Sequence, residues 1–131
     1  MAFRFPHAGL SLTLLLLTLP ARAQSFGPER PEWTTPIAPF RIADNLYYVG
    51  SKDLASYLVV TPAGDILINS SYERTVPFVR DSVEKLGFHF TDIKILLGSH
   101  AHPDHQEADA MFKQLTGATV EVERAAKWTP N

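Results

Sequence analysis

The chain has 131 residues, with 12 lysines and arginines, 14 aspartates and glutamates, a formal net charge of −2 and no cysteine. This length allows one small domain. The slightly negative charge and the absence of basic runs exclude the usual electrostatic footprint of a nucleic-acid-binding protein. The lack of cysteine excludes disulfides, and any metal site would have to use histidine, aspartate or glutamate.

The first segment, residues 1–23, has the pattern of a secretory signal peptide. Arg4 supplies a positive charge, residues 10–19 (LSLTLLLLTL) are mostly apolar, and residues 21–23 (ARA) form a small-x-small cleavage site. The apolar stretch is shorter than the about 20 residues that span a bilayer. We therefore expect cleavage after this motif, and a periplasmic or secreted protein with no membrane segment in its mature form.

The next part of the chain is predicted to be an extended arm followed by the domain itself. Residues 24–40 are rich in proline and should lie along the surface, and residues 41–131 form the domain. Residues 41–50 (RIADNLYYVG) read as a hairpin with an Asp-Asn turn. The β-rich stretch 55–61 and the apolar stretch 66–68 follow, separated by a Pro-Ala-Gly-Asp turn. The first half of the domain is thus predicted to be an antiparallel meander.

The second half changes from strand to helix periodicity. Apolar residues recur at helical spacing between Thr75, placed at the N-cap, and Gly87, placed just past the end. A buried strand is predicted at 93–97, then a second helix that Gly117 closes, then a strand at 118–122. The apolar face of the second helix is formed by Ala108, Met111, Phe112 and Leu115. This order predicts an α/β fold in which helices pack on a mixed sheet.

A histidine-rich run, His100-Ala101-His102-Pro103-Asp104-His105, joins the 93–97 strand to the second helix. In an extended segment, residues i and i+2 point the same way, with Cα atoms about 7 Å apart. His100 and His102 could therefore converge on one ion, while Asp104 and His105, at the turn into the helix, suit a second ion. Imidazole nitrogen and carboxylate oxygen are good zinc ligands. The plain alternative is a solvated, histidine-rich loop.

This His-x-His-x-Asp-His run, after a strand ending Ile-Leu-Leu-Gly-Ser, resembles the metallo-β-lactamase superfamily. The flanking residues 65–71, the 75–87 helix and residues 94–102 are similar to class B β-lactamases of the third subclass, and the resemblance covers roughly residues 37–122. It implies the N-terminal half of an αββα sandwich, a partial fold made of a mixed sheet with helices. It also implies zinc-dependent hydrolysis of a small-molecule substrate, a β-lactam.

The resemblance further implies a role for each motif residue. His100 and His102 would ligate a first zinc, Asp104 and His105 a second, and a hydroxide between the metals would attack the β-lactam carbonyl. Asp104 would also orient this nucleophile, which is the one catalytic role. In the family, each zinc takes a third histidine from further downstream, but no histidine or cysteine follows His105. His89, at the far end of the strand, is interpreted as a surface or helix-end residue.

The missing third ligands leave three functional interpretations open. The intact form could be a β-lactamase that confers antibiotic resistance, or another hydrolase of the superfamily such as a glyoxalase II-like thioesterase. Alternatively, the chain is a truncated, non-catalytic product. For the chain with only these four ligands we expect weak zinc binding, below one tightly held ion, because two protein ligands per zinc are fewer than the three of a catalytic site. The sequence does not indicate an oligomeric state.

Overall fold

The computed structural model describes residues 30–122, with side chains up to residue 121. The predicted signal peptide, the first residues of the predicted arm and residues 123–131 lie outside this range. The strands are β1 (Phe40–Ala43), β2 (Leu46–Tyr48), β3 (Tyr57–Val59), β4 (Asp65–Ile68), β5 (Ile93–Gly98) and β6 (Thr119–Val122). The α-helices are α1 (Val76–Lys85), α2 (Pro103–Gln106) and α3 (Asp109–Thr116). Within the described range, no helix is long and apolar enough to cross a membrane.

The six strands form one mixed sheet in the order β1-β2-β3-β4-β5-β6. The first four pair antiparallel, so the predicted meander is confirmed. β5 runs parallel to both β4 and β6. A parallel pair needs a crossover connection, and α1 supplies it between β4 and β5, as α2 and α3 do between β5 and β6. The predicted α/β fold, with helices and a mixed sheet, is therefore confirmed.

The core lies between the helices and one face of the sheet. Val79 and Val83 of α1 and Phe112 of α3 are fully buried and belong to the same apolar cluster as Leu67 of β4. The prediction for Leu115 was wrong, since its side chain is 48% exposed. It stands in the last turn of α3, beyond the fully buried Phe112.

The start of α1 differs from the expected cap. Thr75 does precede the helix, but its side chain makes no capping hydrogen bond. Its backbone is already helical, at φ −90° and ψ −14°, because residues Glu73–Thr75 form a 3-10 turn. The Thr75 hydroxyl therefore donates back to the Tyr72 carbonyl over 2.7 Å. The predicted end is confirmed, since Gly87 follows the helix at φ 88°, a conformation that favours glycine.

The described part of the predicted arm packs against the domain. Trp33 stacks on Tyr72 with ring centroids 6.3 Å apart, and its indole Nε1–H donates to Asp53 over 3.2 Å. Further along, Pro36 forms an isolated antiparallel bridge with Ser51. The stacking contact places the arm beside Tyr72, the residue that leads into the 3-10 turn before α1, and the other two contacts hold the arm against Ser51 and Asp53.

Candidate metal centre

The four predicted ligands lie at the carboxyl end of β5. His100 and His102 follow the strand and are exposed, whereas Asp104 and His105 belong to α2 and are half-buried. The carboxyl ends of parallel strands are where open α/β sheets usually place their sites. The sheet and the short helix α2 thus bring the predicted residues to one edge of the molecule.

The three histidine rings of the motif gather around His100. The ring centroids of His100 and His102 are 4.6 Å apart at an interplanar angle of 72°, and those of His100 and His105 are 3.9 Å apart at 48°. The Asp104 Oδ2 atom lies 3.2 Å from His105 Nε2. Among residues 30–122, however, no group of three or more histidines, aspartates or glutamates is arranged to hold a metal ion. The donors are of the right kind and close together, but the rings contact one another.

The backbone of the motif is a turn, so the premise of an extended His100–His102 segment was wrong. The His102 N–H donates to the His100 carbonyl over 2.9 Å, and the His102 carbonyl then accepts the N–H of His105 over 2.9 Å. The first hydrogen bond folds the chain back on itself, and the second begins α2. The rings therefore approach because the backbone turns, and not because alternate residues of a strand share a face.

The surroundings of His105 favour its neutral imidazole. Burial lowers the pKa of His105, and the nearby His100 and His102 lower it further, while the Asp104 carboxylate opposes the shift. Ser99 Oγ lies 3.2 Å from His105 Nδ1 and 3.3 Å from His100 Nδ1. A histidine must be deprotonated to bind a metal, so this environment suits a ligand. The exposed His89, which precedes a 3-10 turn before β5, is the surface residue that was expected.

Sequence reasoning missed a turn that contacts the motif from the neighbouring strand. Asn69, Ser70 and Ser71 follow β4 directly and are buried. The Asn69 Oδ1 atom accepts the Ser99 N–H over 3.0 Å, and the Ser70 N–H donates to the His105 carbonyl over 2.9 Å. The sequence does contain a signal for this turn, because three polar residues directly follow the apolar strand β4.

Comparison with solved structures finds several clear similarities, while no family model matches the chain. The native metallo-β-lactamase from Legionella gormanii is 59% identical, with 66% of this chain and 33% of that chain covered and a TM-score of 0.65. The metallo-β-lactamase from Elizabethkingia meningoseptica is 49% identical, with 79% and 39% covered and a TM-score of 0.72. A class B3 di-zinc metallo-β-lactamase from an Alaskan soil metagenome is 41% identical, with 75% and 37% covered and a TM-score of 0.70. The chain thus spans between 33% and 39% of these three structures.

Proposed function

Because the chain belongs to the metallo-β-lactamase superfamily, as the N-terminal part of a fold most similar to subclass B3, we propose that it supplies half of a zinc-dependent site that hydrolyses β-lactams. The observation that carries this proposal is the cluster of three imidazoles and one carboxylate at the end of β5. It occurs in a chain that is 59% identical to a metallo-β-lactamase over the matched region.

The proposed ligand assignment divides the cluster between two zinc ions. His100 and His102 would hold one zinc, and Asp104 and His105 the other. The donor types fit zinc, and the lowered pKa of His105 keeps its ring in the form that binds metal. When bound, zinc supplies a Lewis acid and a nucleophile that is effective near neutral pH. A catalytic zinc normally has three protein ligands, so the remaining ligands would come from the part of the fold that residues 30–122 do not include.

The role proposed for Asp104 follows from its position. Its carboxylate lies 3.2 Å from the His105 ring and is only partly buried. A carboxylate in this place can accept a proton from the attacking water and orient it toward the substrate. Asp104 is therefore the residue of this chain whose loss should reduce turnover without removing a histidine ligand.

The proposed location and partner follow from the signal-peptide pattern. With residues 1–23 removed on export, the protein would act in the periplasm or outside the cell on a small-molecule β-lactam. Export also favours a β-lactam over the substrate of a glyoxalase II-like thioesterase, because glutathione thioesters are cytosolic.

The test completes the fold with the rest of a related enzyme. Residues 24–122 are joined to the following part of the Legionella gormanii enzyme, and nitrocefin turnover is measured with zinc and with a chelator. We expect chelator-sensitive turnover, with a loss of about 100-fold or more in Asp104→Asn, the range of a lost acid–base group. His89→Ala is the matched histidine control and should leave turnover unchanged.

Two results of this test would contradict the proposal. A folded hybrid that binds zinc but hydrolyses a thioester and not nitrocefin would favour the glyoxalase II-like alternative. Chelator-sensitive turnover that Asp104→Asn and His102→Ala leave unchanged would place the site elsewhere. The 131-residue chain, assayed alone, shows whether the described donors are sufficient, and we expect no measurable turnover from it.

A further inference from the structure

The turn Asn69–Ser71 lies against both ends of the loop that carries the candidate ligands. It follows β4, and β4 is the parallel neighbour of β5, so both strands deliver their next residues to the same edge of the sheet. The exposed fractions of Asn69, Ser70 and Ser71 are 6%, 2% and 3%. These polar residues are therefore enclosed by the loop that they contact.

Asn69 is bonded to the start of the loop through its backbone and its side chain. Its N–H donates to the Leu97 carbonyl over 2.9 Å, which extends the pairing of β4 with β5 by one residue. Its Oδ1 atom then accepts the N–H of Ser99 over 3.0 Å. One side chain thus fixes the backbone of the residue that immediately precedes His100.

The next two residues of the turn are bonded to the end of the loop. The N–H groups of Ser70 and Ser71 both donate to the His105 carbonyl, over 2.9 Å and 3.3 Å, and the Ser71 carbonyl accepts the N–H of Ala108 over 2.9 Å. Two donors on one carbonyl fix the backbone position of His105. The same turn therefore fixes both ends of the loop, and with them the separation of His100 from His105.

The backbone of the turn has the conformation that such bonding requires. Asn69 and Ser71 have φ angles of 63° and 60°, in the left-handed region that side chains other than glycine and asparagine rarely adopt. Strained conformations of this kind persist only where the surrounding structure holds them in place. Here the hydrogen bonds to Ser99, His105 and Ala108 do so.

We propose that Asn69 is a positioning residue for the candidate ligands, acting through Ser99 on the His100 end of the loop. The inference rests on the proposed function in one respect, that the loop binds zinc. Asn69 itself contacts no candidate ligand through its side chain in the described hydrogen bonds. It sets the loop backbone from which His100 and His102 project.

The experiment uses two variants of Asn69 and one control in the full chain. Asn69→Gly removes Oδ1 without straining the left-handed backbone, whereas Asn69→Asp keeps an oxygen acceptor for the Ser99 N–H. Asn45→Gly is the control, because the Asn45 side chain also makes one hydrogen bond to a distant backbone group, donating to the Val60 carbonyl, but it lies in the β1–β2 turn away from the loop. Two quantities are measured: hydrogen exchange of the Ser99 amide without metal, and the zinc dissociation constant by competition with a chromophoric chelator.

The expected results separate positioning from general stability. Asn69→Gly should accelerate exchange of the Ser99 amide and weaken zinc binding by about 10- to 100-fold, the usual effect of removing an outer-shell partner. Asn69→Asp should stay within about 3-fold of the parent in zinc affinity, because it restores the acceptor. Asn45→Gly should leave both quantities unchanged.

Either of two results would overturn the inference that Asn69 positions the loop. One is an Asn69→Gly chain that folds and keeps the parent's Ser99 exchange and zinc affinity. If Asn69→Gly does not fold, a folded Asn69→Asp chain whose Ser99 amide is unprotected from exchange would also overturn the inference. A parent chain that binds zinc too weakly to measure reports on the ligands that lie outside residues 30–122, and the exchange of the Ser99 amide then decides whether Asn69 positions the loop.

Discussion

Ser71 is a position at which a different residue should make the protein more stable. Its backbone has φ 60°, its side chain is 3% exposed, and its Oγ atom is buried without a hydrogen-bond partner among the described residues. The left-handed backbone and the buried, unpaired hydroxyl group are both unfavourable for serine. Glycine removes both costs, because it adopts positive φ angles readily and has no hydroxyl group. We expect Ser71→Gly to increase the free energy of unfolding.

The magnitude follows from opposing contributions. A left-handed backbone costs an L-residue about 1–2 kcal/mol, and a buried polar group without a partner costs about 1–3 kcal/mol. Glycine loses more backbone entropy on folding, about 0.5–1 kcal/mol, and the lost methylene forfeits about 0.8 kcal/mol of burial. The balance favours Ser71→Gly by about 2 kcal/mol, within a range of about 0–4 kcal/mol, and each kcal/mol raises the melting temperature of a domain of this size by about 4–8 °C.

The assay is urea unfolding of the parent and variant chains, followed by circular dichroism. Ser70→Gly is the matched control, because Ser70 is equally buried but is not in the left-handed region, and its hydroxyl donates to the His105 carbonyl over 3.4 Å. Ser70→Gly should lower the free energy of unfolding, because it loses that hydrogen bond and glycine loses more backbone entropy on folding. If Ser71→Gly is destabilised as much as Ser70→Gly, the reasoning about the left-handed turn is refuted.

Three further predictions concern pH, packing and export. Burial raises the pKa of Asp65, although the hydrogen bond from the Thr61 N–H opposes this shift. The folded protein therefore favours the protonated Asp65. Its contribution to stability is complete below the unfolded pKa of about 3.9 and is lost as pH rises through the folded pKa. Asp65→Asn should therefore match the parent in urea unfolding near pH 4 and exceed it at pH 7, and equal stability at both would contradict this. A Cβ atom at Gly98 would clash with the Gln106 Nε2 atom. Gly98→Ala should therefore lower the melting temperature, and Gln106→Ala in the same chain should restore it. Additive effects of the two substitutions would show that the two side chains are not coupled. Protein recovered from the periplasm of a Gram-negative host should begin at residue 24, and an intact first residue in the cytosol would disprove export.

The sequence was sufficient for the elements and for the chemistry of the motif, because both depend on local patterns. Alternation and helical periodicity located the strands and helices to within a few residues, and the donor types of His100 to His105 indicated a metal. The tight turn from His100 to His102 could not be predicted, because histidines at alternate positions are equally compatible with an extended backbone. The Asn69–Ser99 hydrogen bond joins residues 30 positions apart, so no local pattern could reveal it. The exposure of Leu115 depends on which residues cover its helix, and periodicity does not report that.

The order in which the chain folds follows from how the Asn69–Ser71 turn reaches the motif. Ser70 and His105 are 35 positions apart, and they meet only after α1 has brought β4 and β5 together as parallel neighbours. Non-local contacts of this kind form late, because chain closure must precede any energetic gain from them. The candidate ligands would then reach their final spacing near the end of folding. Zinc should therefore slow unfolding of the finished chain while leaving the rate of the early folding steps unchanged.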